Sequence, residues 1–219
     1  MGETILTTNQ QRLLLEAKRD KKITDTFYLT GGTALSNYYL HHLTSEDFDF
    51  FSEQELKHQD LIQWSQKVAK KTGASDIEFQ TLSGQFIYYF HYEKEVVKVD
   101  FAYYPFEHIG EFFHDESLRV SSILDIGVNK LHAIMTRKRG RDYVDLFEII
   151  RSEISLNELI RNYRLKFDLY ISPEEWAKYF AAVIDATDQP RFLGSRNWTN
   201  IENFFLREAK QLTKGAILL

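Results

Sequence analysis

The chain has 219 residues, 43% hydrophobic and 27% charged, with a formal net charge of −5, enough for one sizeable domain or two small ones of ordinary globular composition. The mild acidity excludes a protein that coats DNA through its overall charge, though a local basic patch could still contact RNA. With no cysteine there is neither a disulfide framework nor a thiolate metal site; with no basic-then-apolar opening and no bilayer-length apolar window, the expectation is a cytoplasmic chain.

Residues 8–20 have the spacing of an amphipathic helix, with Leu13, Leu14 and Ala17 inward, Lys18 and Arg19 outward, and Thr8 or Asn9 as N-cap. A short β-branched and aromatic run, Phe27-Tyr28-Leu29-Thr30, leads into Gly31-Gly32 and then a helix expected over 33–42. Glycines between a strand and a helix let backbone approach a ligand closely, and the helix start offers unpaired N–H groups to phosphate. Asp47-Phe48-Asp49-Phe50 follows as a second strand. Side chains two apart on a strand share a face, so Asp47 and Asp49 lie side by side while Phe48 and Phe50 enter the core. Adjacent like charges are costly without a cation between them, and a divalent metal is the natural occupant.

A helix is expected over 52–71, closed by Gly73, with Lys57, Lys67, Lys70 and Lys71 as a solvated face. Segments 77–82, 86–92 and 96–104 are aromatic or β-branched and broken by Ser83-Gly84 and Glu93-Lys94-Glu95, which reads as an antiparallel meander. The third strand puts Lys98 and Asp100 on one face and Val97, Val99, Phe101 and Tyr103 on the other. Asp100 needs a metal or an ionic partner such as Lys98, since a buried unpaired carboxylate is expensive. Residues 105–118 read as irregular. Ser122 and Asp125 form a capping box for a helix to about Arg137; a basic turn and a helix over 141–150 follow. Ser155/Glu158 and Ser172/Glu175 are further capping boxes, Gln189-Pro190 and Gly194-Ser195 punctuate the chain, and a last helix runs over 199–214.

Gly31-Gly32-Thr33-Ala34-Leu35, the helix after it, and His42-Leu43-Thr44-Ser45-Glu46-Asp47-Phe48-Asp49 together resemble the signature of the AbiEii/AbiGii toxin family of nucleotidyltransferases. That family belongs to the DNA polymerase β-like superfamily and is related to the MenT toxins. Lys130-Leu131-His132-Ala133-Ile134, then Arg137 and Arg141-Asp142-Tyr143-Val144-Asp145, looks like its distal motif. The resemblance covers roughly residues 27–150. It implies an α/β (α+β) fold: a small mixed-sheet nucleotidyltransferase core over 1–120, then a helical C-terminal region over 121–219.

The resemblance further implies one or two Mg²⁺, or Mn²⁺, held by Asp47, Asp49 and Asp100. It assigns the NTP to Gly31, Gly32, Thr33, Ser45, Lys130, Arg141 and Asp145. Lys130 supplies a point charge for phosphate, and Arg141 a planar fork for phosphate or carboxylate. An Arg141–Asp145 pair at i, i+4 is the plain alternative, and Asp142 reads as a helix-start acid. His41, His42 and His132 read as structural. Leu43 departs from the family, which commonly has arginine after that histidine. The expected activity is transfer of NMP to an acceptor hydroxyl, with RNA (a tRNA 3′ end) as acceptor, a cognate antitoxin as partner and phage defence as setting. The basic turn Arg137-Lys138-Arg139-Gly140-Arg141 is the candidate RNA contact. The rival expectations are modification of a small molecule and a degenerate domain that binds nucleotide without catalysis.

Overall fold

The computed structural model describes residues 4–44, 47–55, 57–82, 84–152, 154–186, 188 and 197–216. It divides into two units, Met1–Ser122 and Ile123–Leu219. The first holds a mixed sheet with helices and the second is helical, the α/β class expected from sequence.

Helix α1 (Thr8–Arg19) is capped by Thr7 rather than by Thr8 or Asn9: the Thr7 hydroxyl accepts from the Gln10 N–H, and the Gln10 side chain accepts from the Thr7 N–H. Leu13, Leu14 and Ala17 are buried as their spacing requires, whereas Lys18 turns in to Asp115 at 2.5 Å. A six-residue helix that periodicity cannot reveal, α2 (Lys21–Thr26), follows, with Asp20 as its cap. Strand β1 (Tyr28–Thr30) feeds α3 (Gly31–Leu35), which widens into a π-helical turn (Ser36–Leu40) closed by His41 in the left-handed region. The helix therefore begins at the glycines, two residues earlier than their poor helix propensity suggests.

Strand β2 (Asp47–Ser52) alternates half-buried and buried positions, with Phe48, Phe50 and Ser52 fully inside. Helix α4 (His58–Thr72) ends at Gly73, whose φ of +81° suits glycine. Strands β3 (Asp76–Leu82), β4 (Gln85–His91) and β5 (Val96–Tyr103) form the expected antiparallel meander. Tyr103, at the strand's end, is exposed rather than in the core.

The stretch over 105–118 is not wholly irregular. It contains β6 (Phe113–Asp115) and ends in β7 (Leu118–Val120), strands of three residues that carry too little alternation to be seen in sequence. Strand β7 pairs parallel with β1, giving the order β3-β4-β5-β2-β1-β7-β6. Tyr38 and Tyr39 of the π-helical turn tie down this end: Tyr38 donates to Asp115 at 2.5 Å and Tyr39 to the Ser121 carbonyl at 2.8 Å. In the middle of the sheet Phe50 stacks on Phe101 at 5.3 Å, and Trp64 of α4 meets Phe101 edge-on at 5.3 Å.

The second unit comprises α5 (Ile123–Thr136), α6 (Gly140–Ser152), α7 (Leu156–Phe167), α8 (Pro173–Ala181) with a 3₁₀ turn (Ala182–Asp185), and α9 (Trp198–Ala216). Ser155 and Ser172 are the N-caps anticipated. The two punctuation points at Gln189-Pro190 and Gly194-Ser195 lie outside the described residues. Tyr143, Phe180 and Phe205 make an aromatic core, Tyr143 and Phe205 edge-on at 5.2 Å. His132 packs flat against Phe167 at 4.7 Å, a structural role. Among the described residues no helix is long and apolar enough to cross a membrane.

Asp125 of α5 and Lys166 of α7 form an ion pair at 2.8 Å with both side chains fully buried. Removing one partner of such a pair strands the other charge. Lys166→Met should cost about 3–5 kcal/mol in urea unfolding. Adding Asp125→Leu to that variant should recover most of the loss; a double variant as unstable as the single one would refute the account.

Candidate functional site

The site in the first unit is built where β2 lies parallel to β5. Their register sets Asp49 opposite Asp100 and Asp47 opposite Lys98. Alternation on each strand sends Asp47, Asp49, Lys98 and Asp100 to the same side of the sheet, while Phe48, Phe50, Val99 and Phe101 fill the other. Strand β5 is an inner strand, flanked by β4 and β2, not an edge. Asp100 is therefore 92% buried by its neighbours, with 8% of its surface exposed.

Lys98 is the cation among these acids. Its ammonium lies 2.5 Å from Asp100 Oδ2 and 3.5 Å from Asp47 Oδ2. Burial disfavours the ammonium, but its hydrogen bond to Asp100 and the charges of Asp47, Asp100 and Asp49 outweigh that and raise its pKa. Asp100 is pushed upward by desolvation, against the pull of Lys98 and with help from the Asp47 charge. Its other oxygen, Oδ1, is buried and has no hydrogen-bond partner. From sequence Lys98 enters only as the plain alternative to a metal on Asp100; that ion pair is formed.

The glycines meet the acids directly. Thr30 pairs with Asp49 across β1 and β2, which brings the Asp49 carboxylate against the Gly31 backbone. A Cβ at Gly31 would overlap that carboxylate, and φ at Gly31 is +75°. Both conditions select glycine. The Thr33 hydroxyl donates to the Asp47 carbonyl, fixing the start of β2 to the turn. Gly32 is the next residue of α3, and Ser45 lies outside the described residues. His42 is fully buried, its Nδ1 3.2 Å from the Ser36 hydroxyl, which fits a packing role.

An all-oxygen donor set of three carboxylates suits a hard divalent cation. Asp100 Oδ1, buried and unpartnered, is a ligand atom in want of one. Among the described residues no three acidic or histidine side chains are already drawn together as a metal cage. The ammonium of Lys98 stands between Asp47 and Asp100 instead. The residues fit the ion in chemistry and need a side-chain adjustment to take it.

The distal motif forms its own charge cluster in the helical unit. Lys130 of α5 lies 2.8 Å from Asp142 Oδ1 and 2.5 Å from Asp145 Oδ2, both on α6. Arg137 adds a two-pronged contact to Asp142, at 2.7 and 3.0 Å. Asp142 is thus not simply a helix-start acid: it is buried between two cations, because α6 turns it inward beside Asp145. Asp145 pairs with Lys130 across helices. In the basic turn, Arg137 is engaged by Asp142 and Lys138 by Asp185 at 2.7 Å; Arg141 is half-buried at the start of α6.

Desolvation works to raise the Asp142 pKa, but Lys130 and Arg137 outweigh it and lower the value from 3.8 to about 2. A carboxyl depressed on folding adds stability above its unfolded pKa and loses it as pH falls toward the folded value. Urea midpoints should therefore drop as pH goes from about 4 to about 2. Asp142→Asn should be destabilised at neutral pH and lack that part of the slope; an unchanged slope would exclude Asp142 as its source.

Comparison with known proteins agrees in family and fold. The model of the family described as nucleotidyl transferase AbiEii toxin, type IV toxin–antitoxin system, matches residues 12–212. An uncharacterised protein of Aquifex aeolicus (strain VF5) is 28% identical over 212 residues, covering 92% of this chain and 95% of its own. Among solved structures, JHP933 of Helicobacter pylori aligns with a TM-score of 0.59 at 19% identity, over 94% of this chain and 91% of that one. MenT4, a nucleotidyltransferase toxin of Mycobacterium tuberculosis H37Rv, aligns with a TM-score of 0.52 at 16% identity, over 94% and 84%. The match of the family model across nearly the whole chain makes this protein a member of the AbiEii nucleotidyltransferase toxin family.

Proposed function

We propose that this nucleotidyltransferase acts as the toxin of a toxin–antitoxin pair, moving NMP from an NTP to a hydroxyl of RNA, with a tRNA 3′ end as acceptor. The observation that carries the catalytic reading is the meeting of Asp47, Asp49 and Asp100 on one side of paired strands, with Asp100 Oδ1 buried and unpartnered. Asp47, Asp49 and Asp100 would hold one or two Mg²⁺, or Mn²⁺, which when bound neutralise phosphate and lower the pKa of a coordinated hydroxyl. In the transfer, the acceptor oxygen bonds to the α-phosphorus, the α–β bridging bond breaks and pyrophosphate leaves. The acceptor's proton passes to solvent. Gly31 and Gly32 offer backbone that lets phosphate approach, and Thr33 braces the start of the acidic strand; Lys130, Arg141 and Asp145 of the helical unit are proposed nucleotide-binding residues in their own right. A cognate antitoxin and a cytoplasmic site of action belong to the same reading.

Incubation with each labelled NTP and total tRNA should transfer label to RNA, and Asp47→Asn should lower the rate at least about a hundredfold, as expected when charge stabilisation in the transition state is removed. Label that stays off RNA and appears on a small acceptor would replace the RNA reading. Equal Mg²⁺-dependent NTP binding by wild type and Asp47→Ala, measured by isothermal titration, would remove Asp47 from the proposed metal set.

A further inference from the structure

We propose that Lys98 is a resident counter-cation of the acid cluster, and that its ion pair with Asp100 and the binding of a divalent ion exclude one another. The inference rests on the metal-dependent reading above and concerns what the ion must displace. Lys98 and Asp100 are two apart on β5, so they share a face, and Lys98 stands opposite Asp47 in the register with β2. One ammonium consequently touches Asp100 Oδ2 at 2.5 Å and lies 3.5 Å from Asp47 Oδ2. Asp100 Oδ1 is open to an ion, but an ion held jointly by Asp100 and Asp47, about 2.1 Å from an oxygen of each, would be pressed against the ammonium lodged between the same two carboxylates. Two cations cannot share this position.

Lys98 suits such a role. Three acids converge on one side of two adjacent strands, and Asp100 is nearly wholly buried, so the protein without metal needs a positive charge there. A lysine supplies a compact charge on a four-carbon stem with free rotation. Its side chain is 26% exposed, which leaves it a path toward solvent when an ion arrives. An arginine fork, fixed and planar, would hold two carboxylate oxygens at once and be harder to dislodge.

Mn²⁺ affinity, followed by electron paramagnetic resonance, and thermal midpoints with and without Mn²⁺ test the exchange on wild type and Lys98→Met. Lys98→Met should bind Mn²⁺ about tenfold tighter, an ordinary size for coupling between two binding events. Its midpoint in chelator should fall below that of wild type and rise again at saturating Mn²⁺; a variant that folds only with Mn²⁺ supports the exchange equally. Equal or weaker Mn²⁺ affinity in Lys98→Met overturns the proposal while leaving the metal site standing. A variant that stays unfolded at saturating Mn²⁺ overturns it too, because the ion then cannot stand in for the ammonium. Failure of both proteins to take up Mn²⁺ takes down the metal reading itself.

Discussion

The parallel pairing of β2 with β5 gathers three carboxylates on one side of the middle strands of a seven-stranded sheet, one of them, Asp100, buried. Asp49 faces Asp100, Asp47 faces Lys98, and the opposite side is packed with phenylalanine. Neither strand can slip by one residue, because a slip would send every aspartate into the aromatic core and every phenylalanine out. The register is therefore held by the core and imposed on the acids. Of the three acids only Asp100 is buried, while Asp47 and Asp49 are half-exposed, so the like charges meet at the rim of the sheet's face with one of them anchored inside.

The rest of the first unit supports that strand pair. Strand β1 pairs with the other edge of β2 and delivers the glycine turn to Asp49. The π-helical turn then reaches across to Asp115 and Ser121, so the glycine turn, β6 and β7 are tied into one frame. The helical unit solves a similar electrostatic problem differently. Lys130 and Arg137 surround Asp142, Lys130 also meets Asp145, and Lys166 closes on Asp125 with no exposure. Each buried charge there has an opposite partner within hydrogen-bonding distance, whereas Asp100 keeps one oxygen unanswered.

Much of this was legible from the chain alone. The alternation of Asp47-Phe48-Asp49-Phe50 and of Val97 to Phe101 is strong because each run is long enough for its period to show, and the family features rest on those residues. The meander, the Gly73 terminus and the serine caps were visible for the same reason: each has a local physical signature. The missed elements lack one. Helix α2 is barely longer than a turn, β6 and β7 are three residues each, and the π-helical turn depends on tyrosines whose partners lie some 80 residues away. Asp142 does stand in the first turn of α6, as its place in the sequence suggests, but its neighbours in sequence do not reveal that Lys130 comes from the preceding helix to meet it. Lys98 was visible as a possible mate for Asp100, but its reach to Asp47 depends on strand register, which no single segment encodes.

The contact between Gly31 and Asp49 carries an evolutionary corollary. The absent side chain at one position is the room occupied by the carboxylate at the other. A methyl gained at position 31 demands retreat at position 49, and a longer acid at 49 presses on a backbone that has nowhere to move. The two sites are thus one heritable unit, eighteen residues apart in the chain, and lineages of this fold should vary them jointly or leave both alone.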